Sequence, residues 1–330
     1  MGSRKTQAEH RRAWLVPAGF AGLLVVFLVS GLLGAFRYSD SYALYRGFAP
    51  PSEPRVTVAR RAGQSVTVPV VKGTLQEIFV TSSAIGGRTQ PVWVFLPPGY
   101  SQNPSQRYPV IYFLHGFPGG PESYIKVGLV WLVQDVLVAQ RRMAPMIEVM
   151  PLGSPGMFHD EEWANGISPG NGWETFLARD VVGAIDSRYR TIASGEGRAI
   201  AGLSEGAYGA LNIALHHPLE FDVIESWSGY MLADHIARIF GRNPRVLAEN
   251  SPMVSVRTAA PVLRADRAYI WFYIGEDDKM LGQNQQFDAE LARLSIDHQF
   301  FTSSGAHSWA LWRMFSGRAL MVASDHLAHG

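Results

Sequence analysis

The pentapeptide Gly202-Leu203-Ser204-Glu205-Gly206 follows a short apolar run, Arg198–Ala201, and precedes Tyr208-Gly209-Ala210-Leu211-Asn212-Ile213-Ala214-Leu215, a helix-like stretch stopped by Pro218. A strand that turns into a helix within G-x-S-x-G forms an elbow, because only glycines on both sides of the serine let the chain turn that tightly. That unit belongs to an open sheet with crossover helices, and the rest of the chain agrees with it. Short β-branched or aromatic runs, Gln76–Ser82, Pro91–Leu96, Val110–His115 and Met146–Met150, each close on Gly, Pro or Asn and read as strands. Val127–Arg142, Trp173–Tyr189, Gly206–His217 and Gln283–Ser295 carry apolar residues three and four apart and read as helices. The alternation predicts an α/β fold, a mostly parallel central sheet with helices on both faces. The first two runs, joined across Gly86-Gly87, are expected to form an antiparallel hairpin at its edge. No internal repeat is present.

The same regular expression occurs at Gly166-Ile167-Ser168-Pro169-Gly170, but no strand precedes it and no helix follows. Pro169 also lacks the N–H that a nucleophile's successor contributes to an oxyanion hole. Ser168 is therefore read as a loop serine and Ser204 as the candidate nucleophile. Upstream, Val110–Leu114 runs into His115-Gly116-Phe117-Pro118-Gly119-Gly120. Such a turn donates a backbone N–H to a tetrahedral oxyanion, here from Phe117, with the Glu205 N–H as the second donor. His115 itself is read as structural, since no second ligand at metal-site spacing accompanies it.

Around a serine elbow the acid and the base follow the serine along the chain. Among the histidines beyond Ser204, His307 stands in the flexible stretch Ser303-Ser304-Gly305-Ala306 before Ser308-Trp309-Ala310-Leu311-Trp312, where an imidazole reaches the serine without burial. His298, in the alternating segment Ile296–Phe301, is read as a satisfied strand histidine. The strand Ala268–Ile274 runs out into Gly275-Glu276-Asp277-Asp278-Lys279, carboxylates at the strand end where open α/β sheets keep their sites. Asp278 is chosen over Asp277 on its register, leaving Glu276 and Asp277 solvated.

Composition narrows the setting. The chain has 330 residues and a net charge of +1, so a polyanion such as nucleic acid is not an expected partner. It has no cysteine, which removes disulfides, thiolate metal sites and a thiol nucleophile together. No cofactor and no metal is expected. Ala13–Phe36 is a run of 24 residues without a charge, long enough as a helix to cross a hydrocarbon core of about 30 Å. A cleaved signal peptide is the rival reading, but its apolar region spans about 7–15 residues, whereas this one continues through Leu32-Leu33-Gly34-Ala35-Phe36 into Arg37. The expectation is an uncleaved anchor. Arg4, Lys5, Arg11 and Arg12 precede it and only Arg37 and Arg46 follow in the comparable stretch, which orients the N-terminus inward. The resulting organisation is 1–12 cytoplasmic, 13–36 a transmembrane anchor, 37–72 a juxtamembrane spacer and 73–330 an extracytoplasmic catalytic domain of a single-pass membrane protein. The Gly- and Pro-rich stretch Pro151–Gly172, with Phe158, His159 and Trp163, and the span Tyr230–Ala260 are expected to shape an acyl pocket.

From about Gly73 to Leu320 the chain resembles the esterase D / antigen 85 family of α/β-hydrolases. The resemblance rests on Val94-Phe95-Leu96-Pro97-Pro98-Gly99-Tyr100, Tyr108-Pro109-Val110, His115-Gly116, Trp173-Glu174-Thr175-Phe176-Leu177, the elbow, Gly275–Asp278, and Gly305-Ala306-His307-Ser308-Trp309 with Trp312. It implies the α/β-hydrolase fold and a serine hydrolase or acyltransferase. Ser204, Asp278 and His307 would be its triad, the Phe117 and Glu205 amides its oxyanion hole, and Gly202 and Gly206 its elbow glycines. The family includes S-formylglutathione hydrolases, feruloyl and acetylxylan esterases, enterochelin esterases and mycolyltransferases. The anchor and the absence of cysteine set this chain nearer the envelope members than the cytosolic thioesterases. The expected substrate is a small-molecule, lipid or glycan ester. Hydrolysis is the leading reading, acyl transfer onto a sugar or lipid acceptor the runner-up, and a non-catalytic binding module the alternative of another class.

Overall fold

The computed structural model describes residues 57–60, 64–67 and 72–330, apart from Met157 and His235. The expected anchor, 13–36, lies outside the described residues, as do the cytoplasmic 1–12 and most of the spacer. Among the described residues no helix is long and apolar enough to cross a membrane. Within 37–72, β1 (Thr57–Arg60) and β2 (Gln64–Thr67) pair antiparallel, a hairpin that the sequence reading did not anticipate.

The remaining strands form one eight-stranded sheet: β3 (Thr74–Ser82), β4 (Arg88–Leu96), β5 (Val110–Leu114), β6 (Ile147–Pro151), β7 (Arg198–Leu203), β8 (Val223–Trp227), β9 (Tyr269–Gly275) and β10 (His298–Ser303). The spatial order is β10-β9-β8-β7-β5-β6-β4-β3. Neighbours from β10 to β6 run parallel, and β4 and β3 are antiparallel. The β3–β4 pair is the expected edge hairpin, and Gly86 and Gly87 turn it at φ 71° and 77°, which a side chain would resist.

Helices α1 (Val130–Ala139), α2 (173–188, wound as a π-helix over Phe176–Val181), α3 (Glu205–His216), α4 (Ala237–Phe240), α5 (Pro244–Glu249), α6 (Pro252–Asp266) and α7 (Leu281–Arg293) lie in the connections between the parallel strands, and α8 (Trp309–His326) follows β10. Alternate side chains of each central strand serve opposite faces. Val110, Tyr112, Leu114, Ile200, Ile224, Ile270 and Phe272 join Leu211 and Ala214 of α3, Leu263 of α6 and Leu291 of α7 in one core cluster. On the other face Phe95 meets Trp131 of α1, and Tyr273 meets Phe315 of α8 at 5.0 Å between ring centroids. Helices therefore cover both faces, which is why β5, β7 and β8 are buried along their whole length.

The sequence reading missed β8 because the polar pair Glu225-Ser226 stands in its middle. Glu225 sits mid-strand with no solvent exposure, accepting a hydrogen bond from Trp227 Nε1 at 3.0 Å while its Oε1 has no partner. Burial pushes the Glu225 carboxyl up to about 8. A carboxyl raised in the folded state contributes its stability below the unfolded value near 4.5 and loses it as pH rises through 8, by up to about 1.4 kcal/mol per pH unit. Glu225→Gln is thus expected to lose less stability than wild type between pH 5 and 8. Denaturant midpoints across that range would check it, and identical slopes would contradict it.

Candidate active site

Ser204 tops the parallel strands at the end of β7. It adopts φ 57°, ψ −120°, a conformation non-glycine residues rarely hold, and precedes the first turn of α3. Its own N–H donates to Trp227 O at 3.0 Å, while its carbonyl accepts from Ala207 and Tyr208, so the neighbouring strand and the helix together fix the strained residue. The flanking glycines are sterically obligatory. A Cβ on Gly202 would stand 2.1 Å from Gly206 O, and one on Gly206 would stand 2.0 Å from Leu114 O.

His307 follows β10 and Asp278 follows β9, so from adjacent strand ends His307 reaches Ser204 and Asp278 reaches His307. Ser204 Oγ lies 2.7 Å from His307 Nε2, and Asp278 Oδ2 lies 2.6 Å from His307 Nδ1. A carboxylate only accepts, so Nδ1–H donates to Asp278 and the neutral ring leaves Nε2 free to accept from the serine hydroxyl. Asp278 is buried, and its Oδ1 accepts the Met280 N–H at 3.0 Å, which locks the carboxylate plane. Trp312 stands edge-on to the His307 ring at 5.1 Å and is held by its Nε1–H bond to Ser228 Oγ at 3.1 Å. Glu276 and Asp277, in contrast, are exposed.

The His115–Phe117 turn abuts the serine: a Cβ on Gly116 would lie 3.0 Å from Ser204 Cβ. As the first residue of a helix, Glu205 has an N–H without an intrahelical acceptor. Among the described residues neither it nor the Phe117 N–H donates to another backbone carbonyl. His115 is buried, accepts the Gly153 N–H at Nε2 and lies 3.1 Å from Gly116 O at Nδ1. Burial pushes it down to about 4, so it is a neutral structural ring.

The other sequence candidates lie elsewhere. Ser168 is exposed in a loop. His216 and His217 each bond Glu174 at 3.0 Å, and His298 is satisfied on both sides by Ile296 O and Asp288. Two pocket expectations separate. Phe158 is exposed, but Trp163 is wholly buried and donates its indole N–H to His115 O at 2.9 Å, so it supports the turn from beneath instead of lining an open pocket. A cavity of about 350 Å³ lined by Leu129, Leu132, Val133, Val136 and Arg313 opens between α1 and α8 and contains none of the site residues.

Sequence reasoning also missed an acidic group beside the elbow. Carboxylate oxygens of Asp160, Glu162 and Glu205 lie within 4.8 Å of one another. The Glu162 N–H, the Tyr230 hydroxyl and the Arg238 guanidinium engage them. The only advance signal was the run Asp160-Glu161-Glu162 in an otherwise apolar, Gly- and Pro-rich stretch.

A family model described as "Esterase: Putative esterase" matches residues 82–315. An esterase of Mycobacterium tuberculosis (strain H37Rv) is 33% identical over 254 residues, covering 68% of this chain and 54% of the relative. An endo-1,4-beta-xylanase/feruloyl esterase of Xylanibacter ruminicola is 31% identical over 160 residues, 45% of this chain and 20% of that protein. This chain thus spans about half, or less, of the length of these two relatives. Among solved structures, a ferulic acid esterase superposes with a TM-score of 0.68 at 28% identity, over 78% of this chain and 100% of its own.

Proposed function

We propose that this chain, which belongs to the Esterase family, is a serine hydrolase that cleaves carboxylic esters at Ser204. The observation that carries the reading is the continuous hydrogen-bond chain from Ser204 Oγ through the His307 ring to Asp278. In the first half-reaction Ser204 Oγ attacks the acyl carbon while His307 Nε2 takes its proton, and Asp278 stabilises the imidazolium. The N–H groups of Phe117 and Glu205 hold the tetrahedral oxyanion. His307 returns the proton to the departing alcohol oxygen, leaving an acyl-serine. Water, deprotonated by the same imidazole, attacks that ester, and the carboxylic acid and Ser204 are released. The proton ledger closes over one cycle without any further group.

The α/β-hydrolase-like fold and the esterase relatives support the reaction class. The feruloyl and ferulic acid esterases among them favour an ester of a bulky or aromatic acid. The uncharged run Ala13–Phe36 and the basic residues before it support an anchored enzyme whose catalytic domain lies outside the cytoplasm. Purified full-length protein is expected to turn over p-nitrophenyl esters. A series from acetate to palmitate beside methyl ferulate gives the acyl preference. Absence of turnover on every member would reject the esterase reading.

A further inference from the structure

The residue after the nucleophile contributes more than its amide. Glu205 is 5% exposed, and its Oε1 accepts the Glu162 N–H at 2.8 Å, across 43 positions of sequence. Glu162 and the next residue, Trp163, have φ 56° and 53°. Two consecutive non-glycine residues in the left-handed region are strained and persist only where the surroundings hold them. The carboxyl of Glu205 is one such restraint. The other is the site of Trp163, whose ring packs 4.9 Å from that of His115 and whose indole N–H bonds His115 O. His115 is followed directly by Gly116 and Phe117. A physical path therefore runs from the elbow through Glu205, Glu162 and Trp163 to the turn that carries the other oxyanion donor.

The rest of the cluster braces this path. Tyr230 donates to Glu162 Oε2 and stacks on Tyr208 of α3 at 4.7 Å and 13°. Asp160 pairs with Arg238 at 3.0 Å. Burial, then the neighbouring Glu205, pushes the Glu162 carboxyl up to about 10, and burial followed by Asp160 raises Glu205 as well. Both shifts favour the neutral form of these two carboxyls, and an amide at position 205 would keep the side-chain shape and the oxygen that accepts the Glu162 N–H.

We propose that the Glu205 side chain is a positioning residue for ester hydrolysis: it holds the Glu162–Trp163 turn, which fixes the His115–Phe117 turn and keeps the two oxyanion donors convergent. The inference rests on the reading of Ser204 as the nucleophile. Displacing one donor by about an ångström is expected to cost turnover on the order of 10².

The test compares kcat and KM for p-nitrophenyl butyrate in wild type, Glu205→Ala, Glu205→Gln and Trp163→Phe full-length protein, with folded sites counted by end-point fluorophosphonate titration. Per titrated site, Glu205→Ala is expected to lower kcat by about 30–100-fold with KM within about threefold. Glu205→Gln should recover most of that loss, because its amide oxygen still accepts the Glu162 N–H. Trp163→Phe, which deletes the indole donor, should lower kcat about tenfold. Wild-type kcat per site in Glu205→Ala, or a Gln variant as slow as the Ala variant, would overturn the proposal. Should Glu205→Ala fail to fold, Trp163→Phe decides: wild-type kcat there overturns it, and a loss confined to kcat supports it. Failure of the underlying reading looks different, since wild type itself would then take up no fluorophosphonate.

Discussion

Replacing Ser204 by alanine is expected to lower kcat/KM toward a nitrophenyl ester by roughly 10⁵–10⁶, while Ser168→Ala stays within about twofold of wild type. The contrast follows from geometry. Both serines sit in a G-x-S-x-G pentapeptide, but only Ser204 lies 2.7 Å from an imidazole nitrogen with an accepting lone pair. Alanine keeps the Cβ and hence the strained backbone at φ 57°, so the loss is one of chemistry, with melting temperature changing by only about 2 °C. Steady-state kinetics on both variants checks the prediction. Comparable losses in the two would detach turnover from the elbow.

Asp278→Asn is expected to cost about 10⁴ in kcat with KM little changed. An asparagine can keep the bond from Met280 N–H and the side-chain volume, so the loop should hold its course. Its amide nitrogen, however, can donate where the carboxylate accepted, which favours the tautomer with the proton on Nε2. In that form the ring cannot take the serine proton, and the imidazolium loses its counter-charge. Asp277→Asn is the control, since Asp277 is exposed and one residue out of register. A loss larger at 277 than at 278 would contradict the assignment.

The parts of this molecule legible in its sequence were those with local steric or periodic causes. The elbow is readable because Gly202 and Gly206 stand at a spacing that the close approach to Leu114 and to each other requires. The strand ends carrying Asp278 and His307 are readable from aromatic and β-branched runs closed by glycine. What stayed hidden depended on partners far away in the chain. β8 escaped because Glu225 and Ser226 break its apolar pattern, although both are fully buried. α6 escaped because Pro252 and Pro261 bracket a stretch that reads as irregular, yet Pro261 is accommodated within the helix. The sequence placed Trp163 at a pocket wall, whereas the Glu205–Glu162 bond draws its loop inward and buries the indole beneath His115. No periodicity in residues 151–172 announces that contact, because its cause lies in α3.

Ester hydrolysis at this site turns on one covalent event, the acylation of Ser204. Incubating full-length wild type, Ser204→Ala and Ser168→Ala protein with a fluorophosphonate probe, then locating the adduct by peptide mass spectrometry, tests it most directly. One label per chain on the peptide containing Ser204, retained in Ser168→Ala and lost in Ser204→Ala, is the predicted result. A label elsewhere, or its persistence in Ser204→Ala, would contradict the assignment of the nucleophile.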